Sequence, residues 1–163
     1  MSGNPYNGFS WSQRMDKFKE MRRRFDAGTL KKPAGPCQLC NQPAATDGSI
    51  TFEYHDEDYG HDYSWSAPAA YVLCRGCHIY RLHQRFARPL AWQVFLAHVR
   101  RGSYGSDLKL SAVQTELARY RRALAEGGTL PALDSLRPYG AVAGKEWFAN
   151  LSTDPALIAG QAG

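Results

Sequence analysis

The placing of the cysteines constrains this chain more than any other feature. All four fall into two pairs, Cys37-Gln-Leu-Cys40 and Cys74-Arg-Gly-Cys77. A two-residue spacing lets both thiolates of a pair reach one tetrahedral ion at roughly 2.3 Å. The opening Met1-Ser-Gly-Asn-Pro-Tyr has no apolar leader, so the protein is expected to be cytoplasmic. In that compartment paired Cys-x-x-Cys points to a structural zinc ion ahead of disulfides or a redox couple. Cys37, Cys40, Cys74 and Cys77 are therefore the expected zinc ligands. Residues 41–73, between the pairs, are too many for the shortest zinc ribbon and must carry structure of their own.

Charge is segregated around this framework. Residues 1–36 hold eight basic and three acidic side chains, residues 45–66 hold six acidic and no Lys or Arg, and residues 75–101 hold six arginines and no acid. An acidic stretch between basic flanks suits a divalent cation beside a phosphate backbone. With 44% hydrophobic residues in 163, the chain can bury the core of one domain. No apolar run approaches the ~20 residues of a membrane helix, so no membrane partner is expected.

Periodicity places the elements. Ser10 or Ser12 caps an expected basic helix running to Ala27, with Met15, Phe18, Met21 and Phe25 forming a buried stripe. Ile50–Tyr54 alternates as a half-buried strand, which sets His55 on the face opposite Tyr54. Tyr71–Leu73 is a second short strand delivering Cys74, and a helix is expected from His78 to about Ala87. Another helix opens at Pro89, with Leu90, Trp92, Phe95, Leu96 and Val99 offered to the core. The stretch from Asp107 to Glu126 repeats Leu110, Val113, Leu117, Tyr120 and Leu124 at helical spacing, to pack on the domain or on a second copy of the chain as a homodimer. Trp147-Phe148 is expected to dock on the body and Ala159–Gly163 to be loose. The resulting division is 1–36, an arm and basic helix; 37–88, the zinc-stapled core; 89–127, a helical extension; and 128–163, a tail.

Between and after the cysteine pairs lie the residues that carry chemistry. Tyr54-His55-Asp56-Glu57-Asp58-Tyr59 ends the first strand, and His78 directly follows Cys77. Cys37-x-x-Cys40, His55-Asp56-Glu57-Asp58-Tyr59 and Leu73-Cys74-x-x-Cys77-His78 through His83 together resemble the HNH (His-Me finger) endonucleases common in phages and bacteria. The resemblance spans residues 37–86. It implies an α+β, mostly helical fold in which a zinc-stapled ββα-metal core is flanked by an N-terminal basic helix and C-terminal helices. It further implies His55 as general base and His78 as ligand of a catalytic Mg²⁺-like ion.

Two positions depart from the family pattern. Tyr54 stands where a metal-ligating Asp or His is common, and the stretch a few residues before Cys74, Pro68-Ala69-Ala70-Tyr71, holds no Asn. A carboxylate must then come from Glu53, Asp56, Glu57 or Asp58, since hard cations take oxygen ligands. On a helix after Cys77, Arg81 and Arg85 share the face of His78 and are expected at phosphate, with Arg22 and Arg23 adding contacts from the basic helix. His83 falls about 140° from His78 on that helix and reads as a packed histidine more than a ligand. His61 and His98 have no supporting context. The expected activity is metal-dependent hydrolysis of phosphodiester bonds in double-stranded DNA, in a bacterial or phage-infected cell. The alternative is a non-catalytic zinc module that binds nucleic acid or protein.

Overall fold

A computed structural model describes residues 5–128, Trp147 and Leu151. The expected Phe148 docking and the Ala159–Gly163 tail lie outside those residues. The elements are helix α1 (Trp11–Asp26), strands β1 (Phe52–Asp56) and β2 (Ala70–Cys74), helix α2 (Arg75–His78), a 3₁₀ turn (Leu82–Gln84), helix α3 (Pro89–Arg100), a second 3₁₀ turn (Gly105–Lys109) and helix α4 (Ser111–Ala125). It is a small α+β protein with a ββα order at its centre. No helix among the described residues is long and apolar enough to cross a membrane.

β1 and β2 pair antiparallel with Phe52 opposite Cys74 and His55 opposite Tyr71. This register ties the histidine strand to the cysteine strand, because Cys74 ends β2 and begins the turn into α2. The strand period of two then sends Tyr54 outward and His55 inward, where it is fully buried. Leu39, Leu73, Leu82, Trp92, Phe95, Val99, Leu117 and Tyr120 join the cysteines in one core. α4 lays its apolar stripe on α3: Leu117 and Tyr120 are buried, Val113 and Leu124 half-buried. Leu110 is exposed and stands before the helix, at its N-cap.

α1 begins at a capping box. The Ser10 hydroxyl accepts from the Gln13 N–H, and the Ser10 N–H donates to the Gln13 side chain. Its expected apolar stripe does not enter the core. Phe18 is exposed, and Met15, Phe18, Met21 and Phe25 instead line one wall of a cavity of about 690 Å³ whose other wall holds Ile50, Phe52 and Tyr54. The buried residue of α1 is Lys17, fully enclosed, its Nζ 2.8 Å from Asp56 Oδ1 and donating to the Asp58 carbonyl at 2.6 Å. Tyr59, Tyr63 and Trp65 surround the ammonium at 5.1–6.0 Å, adding cation–π attraction. A helical stripe in sequence is silent about this, because nothing local says that a lysine's counter-ion lies some forty residues away.

The expected helix from His78 to Ala87 is a correction. α2 stops at His78, and the chain turns through Tyr80 and Arg81 into the 3₁₀ turn, which buries Leu82. The turn changes which side chains face His78.

Removing one partner of an enclosed ion pair strands the other charge, at a typical cost of about 3 kcal/mol. Lys17→Ala is expected to lower unfolding free energy by about that amount in urea titration, and Lys17→Ala/Asp56→Ala to recover part of it. Equal destabilisation in the single and double variants would show that the pair is not what anchors α1.

Candidate metal centres and functional site

The four cysteines meet in the core, all buried, with their sulfurs within 4.8 Å of one another. Cys40 Sγ and Cys74 Sγ are 3.8 Å apart, the edge, also about 3.8 Å, of a tetrahedron built on Zn–S bonds of roughly 2.3 Å. Burial pushes the Cys77 thiol well up, and its three thiol neighbours push it further. A cation is what would let all four ionise together. The Gly105 N–H donates to Cys40 Sγ at 3.3 Å. A Cβ at Gly105 would come within 2.6 Å of Cys77 Sγ and 3.0 Å of Cys74 Sγ, so only glycine fits against the sulfurs. The set fits one zinc ion. Gly105 is a member of it that spacing alone could not reveal, since it arrives from the turn after α3.

A second cluster lies beside the first. His55 from β1, His78 from the end of α2 and His83 from the 3₁₀ turn place one ring nitrogen each within 4.8 Å of the others. His83 Nε2 and His78 Nε2 are 3.0 Å apart, close to the roughly 3.3 Å edge of a tetrahedron with metal–nitrogen bonds of about 2.0–2.1 Å. Each of two rings has its far nitrogen fixed by a carboxylate. His78 Nδ1 is 2.8 Å from Glu53 Oε2, and His55 Nε2 is 2.5 Å from Glu57 Oε1. A carboxylate behind an imidazole sets its tautomer and strengthens the other nitrogen as a donor. That other nitrogen of His55, Nδ1, is buried without a hydrogen-bond partner among the described residues. Three imidazoles could hold a metal ion here, and nitrogen donors suit zinc, nickel or copper better than magnesium.

A continuous helix would carry His83 round to the far side as a packing residue, and here the structure corrects the expectation. The end of α2 at His78 brings His83 back over the cluster instead. The same turn corrects Arg85. It is buried, its Nη1 donating to Glu57 Oε1 at 2.9 Å and to the Tyr6 hydroxyl at 2.6 Å, so it braces Glu57 and is closed to a phosphate. Arg81 is half-buried, while Arg22 and Arg23 are exposed on α1. The four carboxylates expected to complete a cation site are each engaged. Glu53 also pairs with Arg75 at 2.8 Å, Asp56 holds Lys17, and Asp58 accepts from the Gly60 N–H. Glu57 accepts from Arg85, Tyr6 and the Asn7 amide as well as facing His55.

Two further aromatic side chains close the cluster. Tyr6, which sequence does not mark, stacks on His83 at 5.2 Å and meets His55 edge-on at 5.6 Å. Trp147 stacks on Tyr71 at 3.8 Å with its ring 6.2 Å from His55, which agrees with the docking expected of it. His78, His83, Glu53 and Asp56 line the 690 Å³ cavity below α1, and His55 sits behind them. His98 is buried between α3 and the Asp107 and Glu116 carboxylates, away from the cluster, at 3.9 and 4.0 Å.

Burial keeps the His55 and His83 rings neutral. It lowers the pKa of His55 to about 4 against the pull of Glu57, and that of His83 to about 2 with help from His55 and His78. His55 and Arg85 in turn outweigh burial and hold Glu57 ionised, at about 2. No protein-family model matches the chain, and no curated protein or solved structure matches it.

Because folded His55 and His83 bind protons more weakly than unfolded histidines at about 6.5, the unfolded state takes up protons first as pH falls. Stability is thus expected to decline from about pH 6.5 towards pH 4. The midpoint of thermal unfolding, followed against pH in wild type and His83→Gln, checks this: the variant's slope should be shallower. Parallel slopes would mean His83 titrates alike in both states.

Proposed function

We propose that the protein is a zinc-stapled, metal-dependent phosphodiesterase of the HNH type that cleaves DNA. The observation that carries this reading is the pair His78 and His83. Their Nε2 atoms converge on one point at the edge of a 690 Å³ cavity, with Glu53 fixing His78 from behind. In this reading Cys37, Cys40, Cys74 and Cys77 bind a structural zinc. It holds the end of β2, α2 and the turn at Gly105 in one place. His78 and His83 hold a second divalent ion, which would supply charge stabilisation for a phosphate in the cavity.

His55 supplies the base. Its neutral Nδ1 takes a proton from water, while Glu57 faces Nε2 and stabilises the imidazolium that results. Arg85 and Tyr6 keep Glu57 in place, so they are positioning residues. Because Tyr6 and Trp147 cover His55, substrate entry requires one of these rings to move.

That burial favours a second reading. All three histidines would bind the second ion, and the protein would be a non-catalytic module stapled by two metals. Incubation of the zinc-loaded protein with supercoiled plasmid and Mn²⁺, Ni²⁺ or Mg²⁺ separates the two. For the nuclease, nicking is expected with wild type and a drop of about 100-fold or more in His55→Ala. The variant should keep one zinc per chain and its second-metal affinity. Loss of the second metal in His55→Ala, with no cleavage by wild type, would establish the binding module. In Cys77→Ser the structural zinc is expected to be lost together with cooperative unfolding, read by metal analysis and calorimetry.

A further inference from the structure

Two further cavities, of about 430 and 330 Å³, share Arg81 and Arg88. The first runs from Ile50 and Thr51, where it meets the α1 cavity, past Arg75 and Lys109 to Arg88. The second continues from Arg88 to Arg121 on α4. Arg75 has Glu53 as partner. Arg81, Arg88 and Arg121 have no acidic partner among the described residues, and the Arg81 Nε is buried without a hydrogen bond. These three guanidinium groups line one shared space, the second cavity.

Two more observations fall on the same path. α3, twelve residues long, starts at Pro89 after Arg88 as N-cap, with no capping side chain and no acid in its first turn, so its positive end faces the second cavity through Leu90 and Ala91. Tyr80, which lines the first cavity between Arg75 and Arg81, is 53% exposed, among the most exposed large hydrophobic side chains described. An aromatic ring open to solvent, leading into a row of three cations without acidic partners, is the makeup of a single-strand binding surface. There the cations follow the backbone and the ring stacks a base. A duplex keeps its bases stacked and cannot use the ring.

We propose that Arg81, Arg88, Arg121 and Tyr80 form a track for a single-stranded segment of nucleic acid, leading from the α1 cavity across the face of α3 and α4. The track deepens the nuclease reading and rests on it only for the class of partner. It names the strand's path and a base-stacking residue.

The test is fluorescence anisotropy with labelled single-stranded and duplex oligonucleotides of equal length, on zinc-loaded full chain with no other divalent ion added. Wild type is expected to favour the single strand. Tyr80→Ala should bind it about tenfold more weakly and the duplex almost unchanged. Arg88→Ala/Arg121→Ala should weaken both and reduce the single-strand salt slope by about 0.7 for each phosphate no longer neutralised. Arg122→Ala, an exposed neighbour outside both cavities, should match wild type and serves as the charge control. Binding without any plasmid nicking would leave the track standing and overturn the nuclease. Normal nicking with Tyr80→Ala and the double variant indistinguishable from wild type and from Arg122→Ala would overturn the track alone. Equal competition by inorganic phosphate and by unlabelled oligonucleotide at matched phosphate would also overturn it, in favour of a simple anion site.

Discussion

Four thiols within reach of one another in a buried core are the constraint on which the rest of the structure depends. Neutral, they are poor hydrogen-bonding groups; ionised, they repel. A single cation at their centre would remove both problems and fix three chain segments at once. Those segments are the turn at Cys37–Cys40, the β2–α2 junction at Cys74–Cys77, and the Gly105 turn, which donates an N–H to Cys40 and leaves no room for a side chain. Small chains have limited apolar surface to bury. Here α3 and α4 pack in one core with the cluster, so the sulfurs serve as part of the hydrophobic interior.

The histidine centre is a consequence of that junction. Cys74 closes β2 and Cys77 lies within α2, so His78 emerges at a position set by the sulfurs. The strand register sets His55 across from Tyr71. What remains is orientation, and here the protein uses charge. Glu53 and Glu57 stand behind His78 and His55, and Arg85 stands behind Glu57. Glu53, Asp56 and Glu57 are thus consumed by protein partners, each carboxylate answering a histidine, an arginine or Lys17. Nitrogen is left facing the open side, which tilts the chemistry away from hard cations and towards transition metals.

The two basic regions divide in an unexpected way. Of the arginines after Cys77, Arg85 turns inward as a brace while Arg81 and Arg88 face open space and converge with Arg121 from α4. The exposed charge therefore runs along α3 and α4, beside the cysteine core, and Tyr80 interrupts it with an aromatic face. A centre that handles phosphodiesters would gain from such a path, since the backbone contacts that position a strand need not be those that react.

The sequence by itself determined the four-cysteine set, the two strands that connect it to His55, and helices α1, α3 and α4. These follow from local spacing, which physical chemistry turns directly into geometry: two residues between thiolates, alternation along a strand, three and four along a helix. Only the tertiary structure decided that α2 ends at His78, and with it that His83 joins the histidine cluster while Arg85 does not face solvent. Only it brought Tyr6, Lys17 and Gly105 to the site, and gave Trp147 its place against Tyr71. Each is held by a partner distant along the chain: Asp56 for Lys17, Glu57 for Tyr6, Cys40 for Gly105, Tyr71 for Trp147. A buried lysine or a glycine pressed against sulfur is chosen by the group it meets. That meeting has no periodicity, so no pattern along the chain announces it.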